Sequence, residues 1–339
     1  MTGGPDLPGP LVLRGAVAPE ERAALARGAV ATARGDLVRL RLTGPERVAC
    51  LQGLVTCDVA APGDGAHLFG ALLTPKGMIV STLWITRLGE EILVELPQGA
   101  AGDVRDTFTR TLPPRLCRCE DVTAATTTIG VYGPKARAAL SGATGDANPP
   151  EAGRAARLGI GEASVLAAGV AARGLAGWDL VAGSPAGAVV LAALRAHGAV
   201  AVGPALLEER RILAGCPRIG AEVDGHSLPQ EVRLDELGAV SFAKGCYVGQ
   251  ETVARLHFRG HANRRLMGLV LGETPPPSLP LEVQGDGRPL GRLTSAAWSE
   301  DHGRYLGLAV LRREVEPGTA VILDGGATAV VHALPWAAP

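Results

Sequence analysis

The sequence predicts an α+β protein, with antiparallel sheets covered by helices over most of the chain and a small all-β unit at its end. Three features predict this. Between residues 37 and 132, strand-like stretches and one amphipathic stretch follow each other with short connections, the order that places an antiparallel sheet beneath helices. Two later stretches carry helix signals at both ends. Beyond a proline-rich segment only short alternating runs separated by turn residues remain, which suits a small barrel or sandwich.

The elements follow in order. A short helix is expected around residues 19–33. Residues 37–42 alternate like a strand and run into Thr43-Gly44-Pro45-Glu46, where a cap-capable residue before proline starts a helix, expected from Pro45 to about Val55. Residues 67–73 and 78–86 read as strands joined by Thr74-Pro75-Lys76-Gly77, whose second-position proline and fourth-position glycine suit a type I hairpin turn. A strand at 91–96, a helix at 102–111 and strands at 116–122 and 127–132 complete the first unit. Residues 141–153 are polar and read as a surface loop. Ser184-Pro185 opens a helix that Gly198 closes, and Gly203-Pro204 opens another that Gly215 closes. Residues 272–280, with Pro275, Pro276, Pro277 and Pro280, read as a linker. The resulting divisions are a leader at 1–34, an α+β unit at 35–140, a second at 141–262 and the β unit at 263–339.

Composition narrows the class. With 33 basic and 34 acidic residues mixed along the chain, the formal charge of −1 gives no reason to expect direct contact with nucleic acid. Only Lys76, Lys135 and Lys244 are lysine, and none follows a glycine, so the phosphate loop ending in Gly-Lys-Ser/Thr is excluded. Apolar stretches are interrupted well short of the ~20 residues a bilayer needs, and the Met-Thr-Gly-Gly-Pro start lacks a basic segment before an apolar one. A cytoplasmic protein without membrane contact is expected. The six cysteines form no C-x-x-C pair, so reduced thiols and no metal site are expected. His257 and His261 have ligand spacing, but Gly260 interrupts the helix and no H-E-x-x-H glutamate is present.

The densest polar and glycine cluster is residues 240–251, Val-Ser-Phe-Ala-Lys-Gly-Cys-Tyr-Val-Gly-Gln-Glu. A strand ending near Phe242 would meet a turn, and a helix would start near Gly249. Cys246 beside Lys244 and a helix N-terminus would have its thiol pKa lowered. The same residues equally suit a tight turn around a buried, inert thiol. Arg211, Glu222 and Asp179, the last beside Trp178, lie in Gly-rich apolar surroundings, where a carboxylate can grip the donor edge of a planar heterocycle or form an ordinary ion pair.

Lys244-Gly245-Cys246-Tyr247-Val248-Gly249-Gln250-Glu251, continuing through Arg255 and Phe258-Arg259-Gly260, resembles the signature of the YgfZ-type folate-binding proteins, relatives of a mitochondrial iron–sulfur assembly factor and of the glycine-cleavage aminomethyltransferase. The likeness extends to Leu51-Gln52-Gly53-Leu54-Val55-Thr56 with Asp58, to Thr74-Pro75-Lys76-Gly77 and to Arg211-Ile212-Leu213-Ala214-Gly215-Cys216-Pro217. It implies two sheet-and-helix modules around a central folate channel plus a C-terminal β-barrel. It also implies tetrahydrofolate as cofactor, held by Glu222, Arg211, Asp179, Trp178, Gly245, Gly249 and Gln250, with Cys246 and Lys244 carrying the chemistry. The implied function is accessory to iron–sulfur cluster assembly or repair, with cluster clients that include tRNA-modifying enzymes. A tetrahydrofolate-dependent one-carbon transferase and a folate-binding scaffold without chemistry are the alternatives. Against the transferase, the stretch after the third strand departs from the aminomethyltransferase pattern, and Asp103 is only loosely in register with its catalytic aspartate.

Overall fold

In a computed structural model, which describes residues 11–13, 17–170 and 174–336, the chain forms three sheets. The elements before the first sheet are β1 (Leu11–Leu13), α1 (Pro19–Arg27) and β2 (Ala29–Ala33). The expected helix over 19–33 therefore ends at Gly28. Val30 and Thr32 favour a strand, and burial between two neighbouring strands overrides alanine's helix preference in β2.

The first sheet uses β3 (Leu37–Thr43), β4 (Ala66–Leu73), β5 (Ile79–Leu88), β6 (Glu91–Pro97) and β7 (Arg118–Asp121), in the order β4-β5-β6-β3-β7. Its helices are α2 (Arg47–Gln52) and α3 (Ala101–Thr111). Period-2 alternation decides its two faces. Leu40, Leu42, Leu83, Ile85, Ile92, Val94 and Leu96 turn to one side and pack on Leu51, Val104 and Phe108 of the helices. Arg39, Trp84, Leu93 and Glu95 occupy the other side, with Glu95 paired in register with Arg39 and with Trp84. The β4–β5 hairpin turns at Thr74–Gly77 as expected. Gly77 adopts φ +84°, and a register shift lies at Leu72/Leu73 before the turn.

The second sheet runs β12-β2-β8-β11-β10-β9, with β8 (Thr126–Tyr132), β9 (Ala155–Ile160), β10 (Ala163–Val170), β11 (Gly177–Gly183) and β12 (Ala199–Ala201). Its outer face packs Ile129, Val131, Trp178 and Leu180 against α4 (Ala136–Thr144) and α5 (Gly187–Ala196). Its inner face meets the first sheet, where Leu93 packs on Leu166, Ala168 and Val181. Two expectations change here. The loop over 141–153 begins later, because α4 continues to Thr144 and stops only at Gly145 with φ +73°. The chain divisions at 34/35 and 140/141 do not separate the sheets, since β2 and β8 both belong to the second one.

The C-terminal strands β13 (Arg264–Val270), β14 (Leu281–Gly285), β15 (Arg288–Ser299), β16 (Arg304–Arg312), β17 (Ala320–Leu323) and β18 (Thr328–His332) close into a six-stranded barrel, because β16 pairs with β15 as well as β13. Closure removes the edges a sandwich would expose. Between second sheet and barrel, α6 (Pro204–Leu213) packs Ile212 on Leu266, Ala297 and Leu308. An irregular segment then leads to α7 (Gln250–Arg259). No strand ends at Phe242. Isolated backbone bonds, among them Ser241 N–H to the Thr56 carbonyl at 2.9 Å and Val248 N–H to the Gly53 carbonyl at 3.1 Å, tie the segment in place of a ladder. Among the described residues no helix is long and apolar enough to cross a membrane.

Candidate functional site

The Lys244–Glu251 motif sits on the tip of the β4–β5 hairpin, so two family-like motifs meet in space. They meet at glycines. Gly249 has φ +83°, and a Cβ there would lie 2.6 Å from the Thr74 carbonyl oxygen and 3.0 Å from Gly77 Cα. Gly77 in turn leaves no room against Thr252. Tyr247 and Val253 bury into the cluster formed by Ala71, Leu73 and Ile79 of the hairpin.

This support leaves Cys246 exposed while the other five cysteines are buried or half-buried. The reading of a buried, inert thiol is therefore overturned: the turn points its side chain outward because Tyr247 takes the inward position. Lys244 does not serve that thiol. Its ammonium donates to the carbonyls of Gln52 at 2.7 Å, Val55 at 2.8 Å and Cys57 at 2.8 Å, which uses all three N–H groups. Burial pulls its pKa below the usual lysine range, opposed by the charges of Cys57 and Asp58, while the carbonyl acceptors hold the charged form. Lys244 is thus a clasp between the motif and the end of α2 with the residues that follow it. Gln250 is also committed locally, its Oε1 accepting from Tyr247 N–H at 3.3 Å. Gly245 adopts an ordinary backbone conformation in open space.

A second cluster lies between the two sheets. Tyr132 donates a short hydrogen bond to Asp179 Oδ1, and Arg34 Nη1 stands 3.9 Å from the same oxygen. Across the seam Glu95 Oε1 accepts from Thr128 Oγ1 at 2.6 Å. Asp179 and Glu95 are each 1% exposed. Burial first, and then the charge of Asp179, push the Glu95 carboxyl upward, against the Thr128 bond and the guanidinium groups of Arg39 and Arg34. His67, Trp84 and Phe69 stack beside them, at centroid distances of 5.2 Å for His67–Trp84 and 4.6 Å for Phe69–Trp84. An open groove of about 730 Å³ lies at the outer end of this interface, sharing Leu88 and Ala155 with its apolar part.

Glu222 and Arg211 form a third cluster, against the barrel. Arg211 donates to Glu222 Oε2 at 2.8 Å and clasps Glu208 with Nε and Nη2 at 2.9 and 2.6 Å. Glu222 also accepts from Arg218 N–H at 3.0 Å, from Thr294 Oγ1 at 2.9 Å and from Ser295 Oγ. Both carboxylate oxygens are filled by protein, so Glu222 has no lone pair left for a ligand edge. It fastens α6 to β15, and the expected ligand-binding role for Glu222 and Arg211 gives way to this one. The charge of Asp36 reaches Glu208, and Arg34 grips Asp36 at 2.8 Å, so the seam and the barrel cluster are electrostatically continuous.

The comparisons with known proteins follow this geometry. The family model described as the GCVT N-terminal domain matches residues 15–244. The protein named tRNA-modifying protein YgfZ from Cronobacter sakazakii is 31% identical over 318 residues, covering 89% of this chain and 91% of that one. The chain belongs to the YgfZ family. The tRNA-modifying protein YgfZ of Escherichia coli O157:H7 is 30% identical over 321 residues, with 89% and 91% covered. The fold is that of the glycine cleavage system aminomethyltransferase T from Bartonella henselae, at a TM-score of 0.79 over 93% of this chain and 88% of that one, with 18% identity.

Within this YgfZ fold the expected residues do not gather in one place. Asp179 lies in the seam. Trp178, its neighbour on β11, faces the opposite way and donates its indole N–H to the Pro150 carbonyl at 2.7 Å, beneath α4 and α5. The expectation that Trp178 lines the same channel fails because adjacent strand residues point to opposite faces. Asp103 is exposed in the first turn of α3, away from the seam. Glu95, Arg34, Tyr132, Thr128 and Trp84 escaped the sequence reading. Glu95 had a signal, as an acid set within the apolar run Ile92-Leu93-Val94-Glu95-Leu96.

Proposed function

We propose that this chain is a tetrahydrofolate-dependent accessory factor for iron–sulfur cluster assembly or repair, supporting cluster enzymes that modify tRNA. One observation carries the reading: of six cysteines only Cys246 is exposed, on a turn clamped by Lys244 and by glycine contacts with the hairpin. A thiol displayed on a rigid support suits transient contact with an iron–sulfur client or assembly protein, and the names of the relatives point to tRNA.

The donor set of the seam fits a folate. Asp179, oriented by Tyr132 and Arg34, is an acceptor for paired N–H groups, Glu95 places a second carboxyl across the seam, and the stacked His67 and Trp84 rings give a flat wall. Tetrahydrofolate, when bound, supplies reduced nitrogens that carry one-carbon units. The test has two arms. Cys246→Ala, in cells lacking the protein, is expected to leave tRNA thiolation unrestored although the variant folds, and full rescue refutes the thiol's role. Titration with tetrahydrofolate is expected to show binding that Asp179→Asn weakens about tenfold, and absence of binding to the unaltered protein refutes the folate role.

The transferase alternative is favoured by Glu95, a carboxyl beside the proposed site where Asp103 had been the candidate. Formation of a one-carbon adduct from an aminomethyl donor and tetrahydrofolate, abolished by Glu95→Gln, would establish it.

A further inference from the structure

The C-terminal end of α7 carries a patch that neither the thiol turn nor the seam uses. Phe258 is 66% exposed, more than any other large apolar side chain among the described residues. The chain has only four phenylalanines, and two of them are here. Phe242, four residues before Cys246, stacks on His257 with centroids 3.7 Å apart and planes 14° apart. Phe258 stands edge-on to both, at 4.7 Å from His257 and 6.2 Å from Phe242.

Cations surround these rings. Arg255 and Arg259 are exposed on the same helix, and no ion pair among the described residues engages either one. Past Gly260 lies a cleft of about 560 Å³ lined by His261, Arg265, Arg312, Arg313, Glu314 and Glu316. Its acids are matched, Glu316 to Arg265 at 3.1 Å and Glu314 to Arg312 at 4.0 Å, which leaves Arg313 in surplus. Arg259 in the last turn also complements the helix dipole. That accounts for one cation and not for an aromatic ring left in water beside it. A membrane surface would demand a continuous apolar face, whereas α7 offers one ring among charges.

We infer that this patch binds a single-stranded segment of RNA, stacking bases on Phe258 and its neighbours and neutralising phosphates with Arg255, Arg259 and Arg313. Sequence-tolerant stacking beside a guanidinium track is how proteins hold unpaired nucleic acid. The choice of RNA rests on the tRNA-directed reading above. The patch adjoins the Cys246 turn through Phe242, so an RNA loop held there would lie beside the thiol's own segment.

Fluorescence anisotropy of a labelled 12-nucleotide unstructured RNA, titrated with the full chain in low salt, tests this. Binding is expected to weaken steeply with added salt. Phe258→Ala should weaken it about tenfold, Phe258→Trp should retain it, and the Arg255→Gln/Arg259→Gln pair should weaken it and flatten the salt dependence. Phe258 and both arginines are exposed, so circular dichroism should be unchanged. The inference is overturned by absence of RNA binding, by equal affinity for a 12-base-pair duplex, by no effect of Phe258→Ala, or by Phe258-dependent sedimentation with phosphatidylserine vesicles in place of RNA binding. Rescue of tRNA thiolation in cells is a separate readout. A chain that rescues without binding RNA defeats this inference alone, and one that binds RNA without rescuing defeats the functional reading alone.

Discussion

Replacing Lys244 by methionine separates two roles for the motif's lysine. The side chain keeps its length and apolar stem but loses three charge-assisted bonds of 2.7–2.8 Å to the carbonyls of Gln52, Val55 and Cys57. At about 1.5–3 kcal/mol each, the gross loss is roughly 4.5–9 kcal/mol. Relief from burying an ammonium, several kcal/mol, offsets part of it and leaves a net loss of about 2–4 kcal/mol. Guanidinium unfolding followed by tryptophan fluorescence reads this directly. The rate of Cys246 alkylation by a maleimide is expected to stay within about twofold, because no lysine N–H remains to stabilise the thiolate. A stability loss below about 0.5 kcal/mol together with a tenfold slower alkylation would refute the clasp and restore the lysine to the thiol. Lys244→Arg should not rescue, since a planar fork cannot satisfy three carbonyls converging on one point.

Glu95→Gln is expected to raise stability near neutral pH. A carboxyl pushed upward in the folded state from its ordinary 4.5 gives stability that is full below that value and is lost as pH rises through the folded pKa. The gain is about 1.4 kcal/mol per pH unit of separation, and a difference between variant and parent that stays flat from pH 4 to 8 would count against it. Gly249→Ala, at φ +83° with its Cβ 2.6 Å from the Thr74 oxygen, should cost more than the ~1–2 kcal/mol of left-handed strain alone, read by thermal unfolding; a loss under 0.5 kcal/mol would mean the motifs do not lock together. Trp178→Phe should lower stability, by loss of the Pro150 bond, without changing tetrahydrofolate affinity more than twofold, and a tenfold weaker titration would return Trp178 to the site.

What could be read from the sequence was what local chemistry decides. The Thr74–Gly77 turn, the capped helices α5 and α6 and the barrel strands are each dictated by residues a few positions apart, and they stand where expected. The contact between Gly77 and Gly249 depends on two distant segments arriving together, and no local pattern announces it. The same holds for Lys244, which lies two residues from Cys246 in sequence but whose partners in space are at the end of α2 and just beyond it. Trp178 and Asp179 illustrate a different limit. Alternation along β11 already forbids both from facing one ligand, so the information was present in a strand period that the motif reading passed over.

The six cysteines and the charges make the same point about function. Composition gives one number for net charge, −1, and that average hides a patch where unpaired arginines surround an exposed ring. It likewise gives one number for thiols, whereas the fold sorts them: Cys57 is pushed up to about 12 and Cys117 and Cys119 to about 11 by burial, while Cys246 is turned outward. At pH 7 a thiol with a pKa near 11 is thiolate only about once in ten thousand molecules. Selectivity for Cys246 therefore requires no special activation, since the fold suppresses these three competitors and displays Cys246. A cell-free alkylation time course should mark Cys246 first even after Lys244 is removed, and labelling of Cys50, the half-buried thiol on α2, ahead of it would overturn this account of how the site is chosen.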